Sequence, residues 1–596
     1  MKVGVNKNDV IIDTRRDELL SEQGAELIRK HYMKEGDVSP QDAFARTAAR
    51  YATDSDHAQR LYDAVSQLHF MYSSPVLSNS GENDRGLPIS CFLSHVPDTI
   101  DGLIYHEDET KWLSIFGGGV GGHWSDVRTV SKKAPGVIPF IHSVDGSMTA
   151  YKQGETRKGA YAAYLDVNHP EIREFINIRV PGGDENRKAT NIHNAVNVTD
   201  HFMDCVYNDL PYQLIDPNSG AVKDTVSARE IWESILTVRH RTGEPYINFI
   251  DTANEALHPA QKKLGLAIRG SNLCNEIHLV TDQMRTAVCC LSSLNLEKMN
   301  EWAPTLIGDL VEMLDNVLEV FIQRAPHEIK KAAYAAMRSR DIGIGAMGWH
   351  GLLMANDIPF ESVTAVSWTR QIFSEIKRQA QVKSLELARI RGNCPDAEET
   401  GYRARNLHLL AIAPNANSSI MANCTASVEP IHSNAFAHRT RIGTHLVKNP
   451  HLQRKLETKV PVKMLEMLGM TAQQWINKQW ELVIEDDGSV QKLHCLDDKE
   501  KAVFKTFKET NMMAVIDQAS ERQVHLCQGQ SINLSFAADC TKELFNHVHM
   551  YAHKKGLKGL YYARTGSVVK ADKLSKEVIR EILGDADDGE CKACHG

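Results

Sequence analysis

RGSNLCNEIHLV, residues 269–280, is the stretch on which the fold turns. Within it Asn272, Cys274 and Glu276 stand two positions apart: an amide, a thiol and a carboxylate. In an extended segment, side chains at i, i+2 and i+4 share one side. The three would then converge on one point, with Leu273, Asn275 and Ile277 facing away. On a helix, Cys274 would lie nearly opposite the other two. The spacing therefore makes a site only if the segment is extended. The same residues also fit a surface strand beside a buried cysteine, so the rest of the chain has to decide.

The chain has 596 residues, enough for a large core and more than one structural region. It is 42% hydrophobic and 24% charged, as globular proteins are. A net charge of −8 and a pI near 6.4 offer no basic field for nucleic acid. No apolar run is long enough to span a membrane. The N-terminal MKVGVNKNDVIIDTRRDELL lacks an apolar core and a small-residue cleavage site. The expected location is the cytoplasm (the host's, for a phage-encoded chain), where thiols stay reduced. Twelve cysteines are then expected to be catalytic, redox-active or metal-binding where they matter.

Residues 1–70 read as a helical region, from ELLSEQGAELIRKHYMK and SPQDAFARTAARYA, with Ser39 and Pro40 as a helix start. From residue 71 to about 575, helices such as SAREIWESILTVRHRT alternate with short runs such as AYAAYLDV, PYINFID, MMAVI and KGLYYA. The alternation predicts an α/β architecture, and a barrel and a doubly wound sheet fit it equally well. FGGGVGGHW, 116–124, reads as a tight packing turn without a Walker-type Gly-Lys-Ser/Thr. PNANSSI, 414–420, offers hydroxyl and amide groups that suit either a plain helix cap or a phosphate. Residues 576–596 end in an acidic stretch almost free of apolar residues, expected to be a mobile tail.

That tail closes with Cys591, Cys594 and His595. A c-type haem attachment would need an exported protein. A zinc site would need two more ligands. A dithiol on a flexible arm needs only reach, and Lys592 favours its thiolate. Such an arm asks for a second thiol pair to service. Cys91, in LPISCFLSH, and Cys289, in RTAVCCLSSLNL, are candidates, although each alone also reads as a small buried hydrophobe. Cys289 and Cys290 are adjacent, so on a strand only one of them can face a given cavity. Tyr561 and Tyr562 taken alone read as core packing.

Taken in order, SSPVLSNSG, LPISCFL, VPDTIDGL, FGGGVGG, KQGETRKGA, SNLCNEI, AVCCLSSLNL, APNANSSI, GLYYART and a closing CxxC resemble the large catalytic subunit of class I ribonucleotide reductase. The resemblance runs from about residue 70 to the C-terminus. It implies a ten-stranded α/β barrel with a finger loop through its centre, preceded by the small helical N-terminal region. By this resemblance Cys274 is the thiyl-radical residue, Glu276 the base for the 3′-hydroxyl proton, and Asn272 the amide that binds the ribose hydroxyls. Cys91 and Cys289 match the pair that reduces the 2′ position, and Cys591 and Cys594 the tail pair that re-reduces it and hands oxidation to thioredoxin or glutaredoxin. Tyr561 and Tyr562 match a radical relay from a metal-containing small subunit, with no metal in this chain.

The resemblance further places Ser74, Ser90, Asn417 and Ser418 around the diphosphate of a ribonucleoside diphosphate. Asp98 and Arg128 match positions that bind ATP or a deoxynucleoside triphosphate as effector. Gln153, Gly154, Arg157 and Gly159 fall in the loop that relays effector identity to the substrate base. A homodimer is implied, without nucleic-acid or membrane partners. Fewer than 75 residues precede SSPVLSNSG, so no N-terminal ATP-cone is expected. EPIHSNAFAHRTRIGTH departs from the family pattern. An adenosylcobalamin-dependent reductase is the nearest rival, and the Tyr561–Tyr562 pair argues against it. A non-catalytic zinc or redox protein built on the tail leaves the other motifs unexplained.

Overall fold

The structure, a computed structural model, describes residues 3–81, 86–151, 159–440 and 443–566. Helices Glu22–His31, Pro40–Tyr51 and Ser55–Ser66 form the N-terminal region. Ser39 caps the second with Pro40 in its first turn, and the Asp42 side chain returns to the cap backbone, closing a capping box. Ala43, Phe44, Ala48 and Tyr51 carry that helix into the core.

The barrel is built from two sets of parallel strands. β1 (Cys91–His95), β2 (Gly119–His123), β3 (Tyr161–Asp166), β4 (His193–Val198) and β5 (Tyr246–Phe249) pair in chain order, all parallel. β6 (Ala287–Asn295) and β7 (Ile342–Met347) begin the second set, also parallel. Residues 409–412 continue from β7 through the Ile344–Leu410 bridge, and Ile412 bridges to Gln530 in turn. The chain from 530 leads into β8 (Leu534–Phe536), which pairs parallel with β10 (Ala563–Thr565), the continuation of β9 (Gly559–Leu560). The two sets meet antiparallel at two seams, β1 against β6 and β9 against β5. The ring is thereby closed, and the expected ten-stranded α/β barrel is what the chain forms.

Two sequence expectations change. MMAVI is not a strand: residues 512–523 form a helix, because the Asn511 side chain accepts from the Met513 N–H and caps it. Met512, Val515, Ile516 and Ala519 then fall on its buried face. Nor is FGGGVGG only a turn, since Gly119–His123 is strand β2 itself. Its glycines are needed by what crosses the barrel. A β-carbon on Gly121 would overlap the Ser271 carbonyl oxygen, and one on Gly119 would stand 2.8 Å from Leu273 Cδ2.

Candidate active site

The segment pressed against those glycines is the finger loop. Its neck is an Ile268–Val280 antiparallel bridge, and its tip, Asn272–Glu276, lies in the barrel interior. The tip is not extended, as the spacing predicted, but folds in a turn. The Asn275 N–H bonds the Asn272 carbonyl at 3.3 Å, and Asn275 takes a left-handed φ of 59°. Asn272 Oδ1 accepts from the backbone N–H groups of Glu276 (3.0 Å) and Ile277 (3.1 Å), and the Tyr164 hydroxyl donates to the Asn272 carbonyl at 2.7 Å. The three side chains converge as expected, but through this turn rather than through strand alternation.

They converge on one pocket, lined by Asn272, Cys274 and Glu276, by Cys91 and Ser90, and by Ser74, Asn417 and Ser418. Asn272 Nδ2 donates to Cys91 Sγ at 3.4 Å, and Cys91 Sγ lies 3.9 Å from Glu276 Oε1. Ser531 donates to the Cys274 carbonyl at 2.6 Å and reaches Glu276 Oε2 at 3.4 Å. Burial pushes the Glu276 carboxyl up to about 7, against the hydrogen bonds from Asn272, Ser531 and Cys91. A carboxylate so poised can accept a proton near neutral pH.

Two short helices, Ser74–Ser78 and Ala416–Met421, start at the pocket wall. Their first-turn N–H groups offer an anion hydrogen bonds, although among the described residues no Lys or Arg lines the pocket. PNANSSI is thus a helix start, but its cap residue Asn415 turns its side chain to Ser293 Oγ (2.7 Å) instead of the helix. Tyr32 of the N-terminal region holds Ser74 Oγ at 2.8 Å.

Cys289 faces Cys91 across the β1–β6 seam, fully buried, and receives a hydrogen bond from Gln528 Nε2 at 3.4 Å. It sits beneath the pocket wall, next to the wall residues Leu291 and Ser293 on the same face of β6. Cys290 points the other way and meets the Leu314 carbonyl at 3.5 Å. Tyr561 and Tyr562, with ring centroids 4.2 Å apart, share one apolar cluster with Cys274, Leu273, Tyr164 and Tyr246. Tyr246 lies 4.8 Å from Tyr561 and 5.2 Å from Tyr562.

Asp98 and Arg128 pair at 2.8 Å just beyond the carboxyl end of β1, away from the pocket, and Asn218 Nδ2 also donates to Asp98 at 3.0 Å. Gly159 is wedged against Ser114 and the Met148 and Tyr151 carbonyls, where a β-carbon would not fit. Gln153, Gly154, Arg157, Cys591 and Cys594 lie outside the described residues. Sequence reasoning missed Tyr164, Tyr246, Gln528 and Ser531. The strand alternation of AYAAYLDV could have flagged Tyr164; nothing local marks Ser531.

Comparison with known proteins agrees with this fold. The profile described as "Ribonucleotide reductase, barrel domain" matches residues 89–404 and 397–563, and "Ribonucleotide reductase, all-alpha domain" matches 18–85. A putative ribonucleoside-diphosphate reductase large subunit of Frog virus 3 (isolate Goorha) is 50% identical, over 90% of this chain and 92% of that one. The ribonucleoside-diphosphate reductase large subunit of Invertebrate iridescent virus 3 is 39% identical, over 98% and 100%. Among solved structures, the Actinobacillus ureae class Id ribonucleotide reductase alpha subunit superposes with a TM-score of 0.79 at 29% identity, covering 95% of this chain and 99% of that one. The barrel with its central finger and these matches together define an oxidoreductase. The chain belongs to the ribonucleotide reductase large-subunit family, and its reaction is the reduction of ribonucleotides to deoxyribonucleotides.

Proposed function

We propose that the chain is the catalytic subunit of a class I ribonucleoside-diphosphate reductase and that the pocket residues act as follows. Tyr561, oxidised to its phenoxyl radical as an electron passes through Tyr562 toward a metal-containing small subunit, takes the thiol hydrogen of Cys274 and leaves Cys274 a thiyl radical. The thiyl takes the 3′ hydrogen atom of the ribose while Glu276 takes the 3′-hydroxyl proton. Asn272 holds the ribose hydroxyls. Cys91 protonates the departing 2′-hydroxyl, and water leaves. Cys91 and Cys289 supply two electrons and become a disulfide, Glu276 returns its proton to O3′, and Cys274 returns hydrogen to C3′. One ribonucleotide and one dithiol thus give one deoxyribonucleotide, one disulfide and one water. The barrel wall keeps solvent from the radical.

The carrying observation is the meeting of Cys274, Glu276, Asn272 and Cys91 in one buried pocket, with the tyrosine pair packed behind Cys274. Ser74, Ser90, Asn417 and Ser418 hold the diphosphate, by hydroxyls and helix N–H groups. Asp98 and Arg128 bind ATP or a deoxynucleoside triphosphate, and the loop from Gln153 to Gly159 carries that signal to the base. Cys591 and Cys594 reset the disulfide and pass oxidation to thioredoxin or glutaredoxin. The organisation is a helical region 1–70, a barrel 71–575 and a redox tail 576–596. Exposed Ile100 and Ile104 on helix Ile100–Ile115 favour a homodimer. The place of action is the cytoplasm; among the described residues, no helix is long and apolar enough to cross a membrane.

The test is deoxycytidine diphosphate formation from CDP with ATP and dithiothreitol. The enzyme is given either a metal-containing small subunit or adenosylcobalamin. Product with the small subunit alone is expected. Product with adenosylcobalamin alone would discard the relay and the partner subunit.

A further inference from the structure

A partly buried trio of ionisable side chains stands against Tyr562 of the proposed relay. His193 opens β4, Glu244 precedes β5, and Arg179 follows helix Ile172–Ile176. Ala195 lies opposite Tyr246 in the parallel β4–β5 pair, so positions 193 and 244, two residues earlier on each chain, also lie side by side. His193 Nδ1 is 2.7 Å from Glu244 Oε1, 3.3 Å from Tyr562 Oη and 3.3 Å from Arg179 Nη1. Arg179 pairs with the same Glu244 oxygen. The imidazole stacks on Tyr246 at 5.8 Å and meets the Tyr562 ring edge-on at 5.9 Å and 79°. The Glu244 side chain is 3% exposed and that of His193 13%.

A phenol that loses an electron becomes a strong acid. Tyr562 must therefore shed its proton as it is oxidised and recover it as it is reduced. Inside an apolar cluster this needs a base within hydrogen-bond reach, and the base needs a counter-charge for the cation it becomes. The trio holds both. Burial opposes the charged form of Glu244, but His193 and Arg179 outweigh it and hold the carboxyl down to about 2.

Resting on the relay reading, we propose that the His193–Glu244 pair, steadied by Arg179, takes the phenol proton of Tyr562 on oxidation and gives it back on reduction. Tyr562–OH then yields Tyr562–O•, with one electron passing to the small-subunit side and one proton passing to the pair. The phenol proton enters at Nδ1, and Glu244 Oε1 accepts the hydrogen bond of the imidazolium so formed, so the pair gains one proton in all. Tyr246, stacked on the imidazole, holds its plane.

The test uses the holoenzyme with its small subunit and the variants His193→Phe, Glu244→Gln and Tyr562→Phe. His193→Phe is expected to lower kcat about 100-fold, with KM for CDP changed less than about twofold. Added imidazole is expected to restore part of that rate. Glu244→Gln removes the charge that favours the imidazolium, so the acid limb of kcat is expected to move to lower pH. Undiminished turnover in His193→Phe, a loss that imidazole does not relieve, or an unmoved acid limb in Glu244→Gln would each overturn the proposal. If His193→Phe does not fold, His193→Gln carries the same measurements. Tyr562→Phe separates the two levels. If it turns over normally, the relay falls and the proton step with it. If it is inactive while His193→Phe is normal, only the proton step falls.

Discussion

Cys91 and Cys289 stand directly opposite each other in the register of the antiparallel β1–β6 seam. Opposed residues in such a ladder have Cα atoms about 4.5–5.5 Å apart, within the roughly 4.4–6.8 Å span of disulfides. The two thiols can therefore join with little backbone movement. Cys290, one position on, faces the opposite side and cannot take part.

The first prediction separates these neighbours. Cys289→Ser should abolish turnover coupled to thioredoxin, whereas Cys290→Ser should keep it at a modest cost in stability. Steady-state deoxycytidine diphosphate formation checks both. Comparable loss in the two variants would contradict the assignment.

Cys274→Ser should remove turnover and leave CDP affinity within about twofold, because an alcohol holds the same place but does not carry the radical. Equilibrium binding of CDP beside a turnover assay tests this. Residual reduction above about 1% would refute the thiyl role.

Burial holds Glu276 up to about 7 in the free protein. A base must be deprotonated to work, so kcat/KM should rise with pH through about 7 and level off above it. Glu276→Gln should lose that limb and fall at least about 100-fold. A pH–rate profile from 5.5 to about 9 decides the matter.

Gly121→Ala presses a methyl group into the Ser271 carbonyl. It should cost ~1–3 kcal/mol and more than about tenfold in turnover, since the finger tip must shift. Gly308→Ala, in helix Leu306–Arg324, meets only ordinary contacts at 3.7–3.8 Å. It should instead stabilise by about 0.5–1 kcal/mol. Denaturant melts of the two variants should move in opposite directions.

Asp315 is fully buried and bonded to Arg340 (2.7 Å), Arg391 (2.8 Å) and Arg405 (3.2 Å). Asp315→Ala leaves buried guanidinium groups short of a counter-charge and should cost about 3–5 kcal/mol. A shift of less than about 1 kcal/mol in urea unfolding would show that Glu312 and Glu319 suffice for the three arginines.

The features legible in the sequence were those whose residues lie close together along it. The finger motif showed because its three reactive groups span five positions. Ser39 and Pro40 announced a helix by local chemistry, and strand alternation showed that only one of Cys289 and Cys290 could face the cavity, the family resemblance choosing Cys289. What stayed hidden was set by distant partners. The turn at Asn275 is braced by Tyr164, 111 positions away. Strand β2 has little intrinsic strand preference, and its glycines make sense only beside the finger. The Val and Ile of MMAVI favour a strand, yet the Asn511 cap turns them into a helix. Tyr246 reaches the tyrosine pair only once β5 is in place.

Strand β6 begins directly after the finger and pairs with β1 on one edge and β7 on the other. Seating the finger and docking β6 are therefore steps of one folding event, and contacts such as Asn272–Cys91, 181 positions apart, belong to its slow, non-local phase. A chain caught before that step has Cys274 but neither Cys91 nor Glu276 in place around it. Assembly thus acts as a safeguard: only a completed barrel brings Cys274, Cys91 and Glu276 together in one pocket.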